Sequence, residues 1–161
     1  MSDIELQNND DSKAVEELLD ITFGTDRFKK AAYSLRQNAD AIAPLSFVIR
    51  NDDRLIATLR FWSIRIDGAE SLLLGLIAVL PELQGQGHGI RLMEHGLKMA
   101  KQLGHSRVVL VGEETYYRKI GFSRSAAQNI IMPGQTDQSR LLALALDEDA
   151  LIGMSGLITV E

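Results

Sequence analysis

The stretch that most constrains this chain runs Leu72-Leu-Leu-Gly-Leu-Ile-Ala-Val-Leu80-Pro81, and Gly85-Gln-Gly-His-Gly89 follows four residues later. The first part is apolar on both faces of an extended chain, so it predicts a central strand from about Glu70 to Leu80, closed by Pro81. The second part puts three glycines in five residues at the head of an amphipathic pattern reaching Leu103. Gly104 stands where a helix C-terminal glycine belongs. Strand, glycine turn and helix therefore follow one another directly. Glycines let a backbone approach a ligand closely, and a helix start offers unpaired N–H groups with partial positive charge. The segment is either an anion site built from backbone or simply a tight strand-to-helix turn. It is not a P-loop, because no Lys-Ser/Thr follows Gly89, and Gly85-x-Gly87-x-Gly89 lacks the gap of a dinucleotide fingerprint.

The rest of the chain surrounds this unit with short elements. Ile4–Leu6 alternates as an edge strand, and Ser12 caps a helix carrying Val15, Leu18, Leu19 and Thr22 until Gly24. Phe28, Ala31, Ala32 and Leu35 repeat the helical spacing after Thr25. Leu45–Arg50 and Arg54–Ile66 read as strands about an Asn-Asp-Asp turn, and Asp67-Gly68 signals a hairpin. Arg107–Val111 is a buried strand, Glu113–Ile120 a short helix, and Leu141–Leu146 a further strand. The polar segment Ala126–Ser139 reads as a loop flanking the mouth of the site, and Leu151–Val160 supplies a last strand. At 161 residues, without repeat or linker, residues 1–161 are expected to form one domain of mixed α/β class.

Composition narrows the chemistry. There are no cysteines, which removes disulfides, thiolate metal sites and a cysteine nucleophile. No metal is expected. A net charge of −5 argues against a nucleic-acid surface. No apolar run reaches membrane-spanning length, and the acidic start MSDIELQNNDD lacks signal-peptide character, so no membrane partner and a cytoplasmic location are expected.

Val79-x-Pro81-x-x-Gln84-Gly85-x-Gly87-x-Gly89 resembles the Q/R-x-x-G-x-G/A signature of the GNAT superfamily of N-acetyltransferases, with Gln84, Gly87 and Gly89 at its fixed positions. Some thirty residues on, Tyr117-x-x-x-Gly121-Phe122 looks like that family's second block. Leu74-Gly75-Leu-Ile-Ala-Val, Tyr116-Tyr117-Arg118, Met132-Pro-Gly134 and Leu141-Leu-Ala-Leu144 look most like its YhbS-like group. The specific likeness covers about residues 70–156.

The resemblance implies a mixed, mostly antiparallel sheet, splayed at its centre and flanked by helices. It implies acetyl-CoA as cosubstrate. The pantetheine arm would pair with the backbone of Ile77 and Val79. The pyrophosphate would sit on the amides of Gly85, Gln86, Gly87, His88 and Gly89, with Gln84 at the rim. A backbone N–H near Val79 would serve the oxyanion. Tyr117 would protonate the departing thiolate, and a one-residue slip would give that role to Tyr116. The acceptor would be a small-molecule amine, a peptide N-terminus or a lysine, and a homodimer is the family habit.

The base is less legible. Leu72–Leu80 holds no carboxylate, which leaves Glu113 and Glu114 near the splay. Those two residues also read simply as charges suited to a helix N-terminus. His95 and His105 read as surface residues, and Arg60 with Trp62 as a pocket pair or as packing. Without a cysteine the amine must attack the thioester directly. A non-catalytic acyl-CoA sensor or protein-interaction module on the same fold is the competing reading, and an unrelated phosphate-binding domain would leave the tyrosine block unexplained.

Overall fold

The computed structural model describes residues 3–29, 35 and 39–160. Nine strands occur among them: β1 (Ile4–Leu6), β2 (Ser46–Asn51), β3 (Arg54–Ile66), β4 (Ala69–Leu74), β5 (Ala78–Val79), β6 (Arg107–Val111), β7 (Ile130–Ile131), β8 (Leu141–Ala145) and β9 (Gly156–Thr159). The α-helices are α1 (Ser12–Phe23), α2 (His88–Gln102) and α3 (Glu114–Tyr117). The main path of the sheet runs β1-β2-β3-β4-β6-β8, with β5 and β9 also paired to β3 and β7 to β9. Every pairing is antiparallel except β4–β6 and β7–β9. The sheet is mixed, mostly antiparallel and flanked by helices, as the resemblance implied.

β3 organises the molecule because its thirteen residues exceed the length of any partner. Arg54–Arg60 pairs with β2 on one side, and Phe61–Ile66 pairs with β4 on the other. The expected single strand from Glu70 to Leu80 is two strands. Phe61 faces Leu74 and Thr58 faces Ala78, so three residues (Gly75, Leu76, Ile77) oppose two (Leu59, Arg60). That is a β-bulge, one extra residue in the ladder. It reverses the alternation. The Gly75 N–H still donates to Arg60 O at 2.9 Å, but beyond the bulge the Leu80 N–H donates to Ile56 O at 2.9 Å. Even-numbered residues therefore bond to β3 in β5, where odd-numbered ones do at the end of β4.

α2 packs on the sheet face that carries Leu59, Phe61, Leu72 and Val108. Leu92, Met93, Gly96, Leu97 and Ala100 form its buried stripe. Gly96 lets the helix lie close, since a Cβ there would stand 2.8 Å from the Phe61 ring. His95 lies edge-on to Phe47 at 5.0 Å, so it is a packing residue where the sequence suggested a surface one. α1 lies against β3 and β5.

The opposite face is covered by the segment expected to be a loop. Ala127, Ile130 and Met132 are fully buried there against Trp62, Ile64, Leu73, Val109 and Leu141. Their spacing was hidden among polar residues, and the Gln138 side chain, bonded to both N–H and C=O of Met132, holds the segment's shape. Trp62 belongs to this second cluster at 5% exposure, its ring beneath the Arg60 guanidinium and its Nε1–H donating to Ala39 O. The pair is packing. Of the helical pattern after Thr25, Thr25–Lys29 is a 3-10 helix, and Ala31 and Ala32 lie outside the described residues.

Candidate active site

Beyond Leu74 the sheet opens. β6 pairs with β4 at Leu72–Val108 and Leu73–Val109, whereas β5 pairs with β3 alone. The reversed alternation turns the backbone N–H of Val79 away from β3, toward this gap. It also places the side chains of Ile77 and Val79 under the first turn of α2, with their Cγ2 atoms 3.6 and 4.0 Å from where a Gly89 Cβ would stand. Sequence patterning predicted a central strand here; the gap itself comes from register.

The gap continues into a cleft of about 620 Å³ bounded by Thr22 and Phe23 of α1, by β5, by the glycine turn and by α3. Ile77, Val79, Gln84, Gly85, Gly87, His88 and Gly89 all line it, as expected for those positions. Gln86 is in the same turn but points into solvent and does not line the cleft. Gly85 and Gly87 have φ of +83° and +89°, the left-handed region that favours glycine. Gly87 is the N-cap of α2 and gives no side-chain cap, so the N–H groups of the first turn face the cleft unpaired within the helix. Gly89 serves a different purpose. Its missing Cβ leaves room for the Tyr116 hydroxyl, which would lie only 3.1 Å away.

Gln84 sits at the rim but reaches inward. Its Nε2 donates to Val79 O at 3.1 Å, so the side chain braces the strand that carries the free N–H. The His88 Nδ1 atom is buried without a hydrogen-bond partner.

The two tyrosines take different places. Tyr117 packs into the core, edge-on to Phe122 at 6.3 Å and to Tyr116 at 5.0 Å. A Cβ on Gly112, just beyond the end of β6, would stand 2.4 Å from the Tyr117 ring, so that glycine is the floor on which the ring lies. Burial pushes the Tyr117 phenol up to about 12, the neighbouring Tyr116 adds to the rise, and Arg140 opposes it. Tyr116 lines the cleft, 38% exposed, and burial raises its phenol as well. Lys119 lines the cleft too, its ammonium 5.5 Å from the centre of the Tyr116 ring. Sequence reasoning passed over Lys119, although Tyr116 and Lys119 are spaced i, i+3 and so share a helical face.

Both expected carboxylates are engaged. Glu113 pairs with Arg140 at 2.8 Å, and Glu114 accepts the backbone N–H of Arg124 at 2.8 Å. Among the described residues no helix is long and apolar enough to cross a membrane.

Comparison with known proteins adds to this geometry. Residues 44–124 match the model of the acetyltransferase (GNAT) domain. The chain is 26% identical over 151 residues to the uncharacterized N-acetyltransferase YhbS of Escherichia coli K12, covering 92% of this chain and 89% of that protein. It is likewise 26% identical over 125 residues to the uncharacterized E. coli N-acetyltransferase YjhQ, covering 75% and 69%. The crystal structure of E. coli YhbS in complex with CoA superposes with a TM-score of 0.83 at 24% identity, over 99% of this chain and 89% of that one. A Brucella melitensis GNAT acetyltransferase in complex with acetyl-CoA gives a TM-score of 0.75 at 22% identity, over 100% and 96%. The structural matches establish the fold, the domain match spans half of the chain, and the chain belongs to the GNAT acetyltransferase family.

Proposed function

We propose that this protein binds acetyl-CoA in the cleft between β5 and α2 and transfers the acetyl group to a primary amine by direct attack in a ternary complex. The observation that carries the reading is the coincidence, in one cleft, of a strand edge with an unpaired Val79 N–H and a helix start with uncapped N–H groups. The first suits a carbonyl oxygen of the acylated pantetheine arm and the second suits a diphosphate. Acetyl-CoA supplies an activated acyl group on a sulfur leaving group. A small-molecule amine, a peptide N-terminus or a lysine is the acceptor class. We read residues 1–161 as one domain, because both core clusters lie on faces of one sheet.

The backbone role follows from position, and the tyrosine role from the block Tyr117-x-x-x-Gly121-Phe122. The Val79 N–H donates to the thioester oxygen as negative charge develops there, a preorganised interaction that gains in a water-poor cleft. Tyr117 is the proton donor to the departing sulfur. Its phenol, held near 12, stays protonated at any working pH. A thiolate near 8.5 does not take a proton outright from such a phenol. Tyr117 therefore acts as a relay, giving its proton to sulfur while regaining the one the amine sheds on forming the amide. The two carboxylates nearest it in sequence, Glu113 and Glu114, are both held. An amine that arrives neutral fits this arrangement.

That engagement of both carboxylates also favours the second reading, a sensor that binds acyl-CoA without turnover. One measurement separates them. Acetyl-CoA is expected to raise the melting temperature, and a panel of amines with acetyl-CoA is expected to release free thiol for at least one acceptor. Thermal stabilisation without thiol release across the panel supports the sensor, and no stabilisation at millimolar acetyl-CoA defeats both.

A further inference from the structure

The glycine turn brings no fixed cation to the cleft. Its side chains there are Gln84 and His88, in a chain of net charge −5. Coenzyme A carries a diphosphate and a 3′-phosphate, and backbone N–H groups answer these with partial charges only. Of the described residues lining the cleft, Lys119 is the single lysine or arginine. It is exposed and forms no ion pair among the described residues. Its ammonium stands 5.5 Å from the centre of the Tyr116 ring, a cation over an aromatic face. The other end of that tyrosine reaches α2: the Tyr116 hydroxyl lies against the first turn at Gly89. One side chain thus touches the helix start at its hydroxyl and the cation at its ring, and all three line one cleft.

We propose that Lys119 is the cation that pairs with the coenzyme diphosphate, and that Tyr116 is a positioning residue that holds it there. The assignment rests on the acetyl-CoA reading above. A lysine suits this role because its ammonium is a compact charge on a flexible stem, able to follow a phosphate without fixed geometry. Tyr116 contributes its ring face, so the hydroxyl is dispensable for this role.

The test is direct titration of the full chain with CoA, dephospho-CoA and pantetheine, the last followed by NMR at millimolar ligand. Lys119→Gln is expected to weaken CoA and dephospho-CoA alike by about tenfold, the loss of one charge-assisted contact. Pantetheine, which lacks every phosphate, is expected to bind as before. The defect is expected to shrink as salt rises from about 50 to 500 mM. Tyr116→Leu is expected to reproduce part of the loss for the phosphorylated ligands only, and Tyr116→Phe, which keeps the ring, is expected to bind like the parent. Equal weakening of all three ligands would mean that Lys119 acts through the fold, and unchanged affinity would mean that it does not act at all. Weakening of CoA but not dephospho-CoA would move the contact to the 3′-phosphate. Each of these overturns the proposal while leaving acetyl-CoA binding intact. Failure of the unmodified chain to bind CoA removes the reading on which the proposal rests.

Discussion

Two adjacent tyrosines with opposite surroundings invite an experiment at the scale of single atoms. Tyr117 lies on Gly112 beside Phe122, whereas Tyr116 faces the cleft. Tyr117→Phe is expected to lower kcat at least about tenfold while the KM for acetyl-CoA barely moves. Tyr116→Phe is expected to keep most of the turnover, and the reverse pattern in steady-state kinetics would transfer the donor role to Tyr116. A pH effect accompanies the kinetics. Below about pH 10 the Tyr117 phenol holds its proton whether the chain is folded or not. Between there and about 12 the unfolded chain gives up that proton and the folded one keeps it, so stability falls as pH rises. Denaturant titrations across that alkaline window are expected to show a decline that Tyr117→Phe lessens. The tyrosine block was legible in Tyr117-x-x-x-Gly121-Phe122, but which ring faces the cleft was not. That depends on the phase of a four-residue helix running into a 3-10 turn, and tertiary contacts fix it.

At the scale of elements, the turn before α2 was readable because its demands are local. Left-handed φ at Gly85 and Gly87 follows from the chain having to reverse within a few residues. Gly89 is a glycine for another reason, the nearness of α3, and spacing alone does not reveal that. Gly89→Ala places a methyl 3.1 Å from the Tyr116 hydroxyl and beneath the coenzyme path, yet it improves helix propensity by up to about 1 kcal/mol. Affinity and stability are therefore expected to part: acetyl-CoA binds several-fold more weakly by calorimetry while the Tm holds or rises. β4 and β5 were read as one strand because both are apolar and the residues between them are apolar too. Hydrophobicity reports burial and carries no record of how many residues face how many across a ladder. The buried segment Ala127–Met132 escaped for the opposite reason: a few deeply buried side chains stand among exposed polar neighbours.

For the whole molecule, the N-terminal segment is tied to the sheet by charge as well as by pairing. Asp11, buried ahead of α1, accepts from the Arg50 guanidinium on β2 at 2.6 Å, and its other contact is the backbone N–H of Asn8. The hydrogen bond from Arg50 holds the Asp11 carboxyl below the usual carboxylate range. Its stabilisation is full above about pH 4 and is lost as pH falls from there through the lowered value, because in that window the unfolded chain takes up the proton and the folded one does not. Asp11→Asn is expected to cost about 2 kcal/mol at neutral pH and to make acid unfolding less steep, both readable from urea melts at several pH values. The bulge between β4 and β5 has a wider consequence. Since the bend ahead of Val79 follows from a count of three residues against two, it is stored as a length and not as a spelling. Substitutions at Gly75, Leu76 or Ile77 leave that count untouched. Loss of a single codon there would remove the extra residue and the bend it makes, while Ala78 stayed opposite Thr58 and the Val79 N–H stayed turned away from β3. Drift in residue identity along this strand is thus compatible with keeping the bend, whereas drift in its length is not.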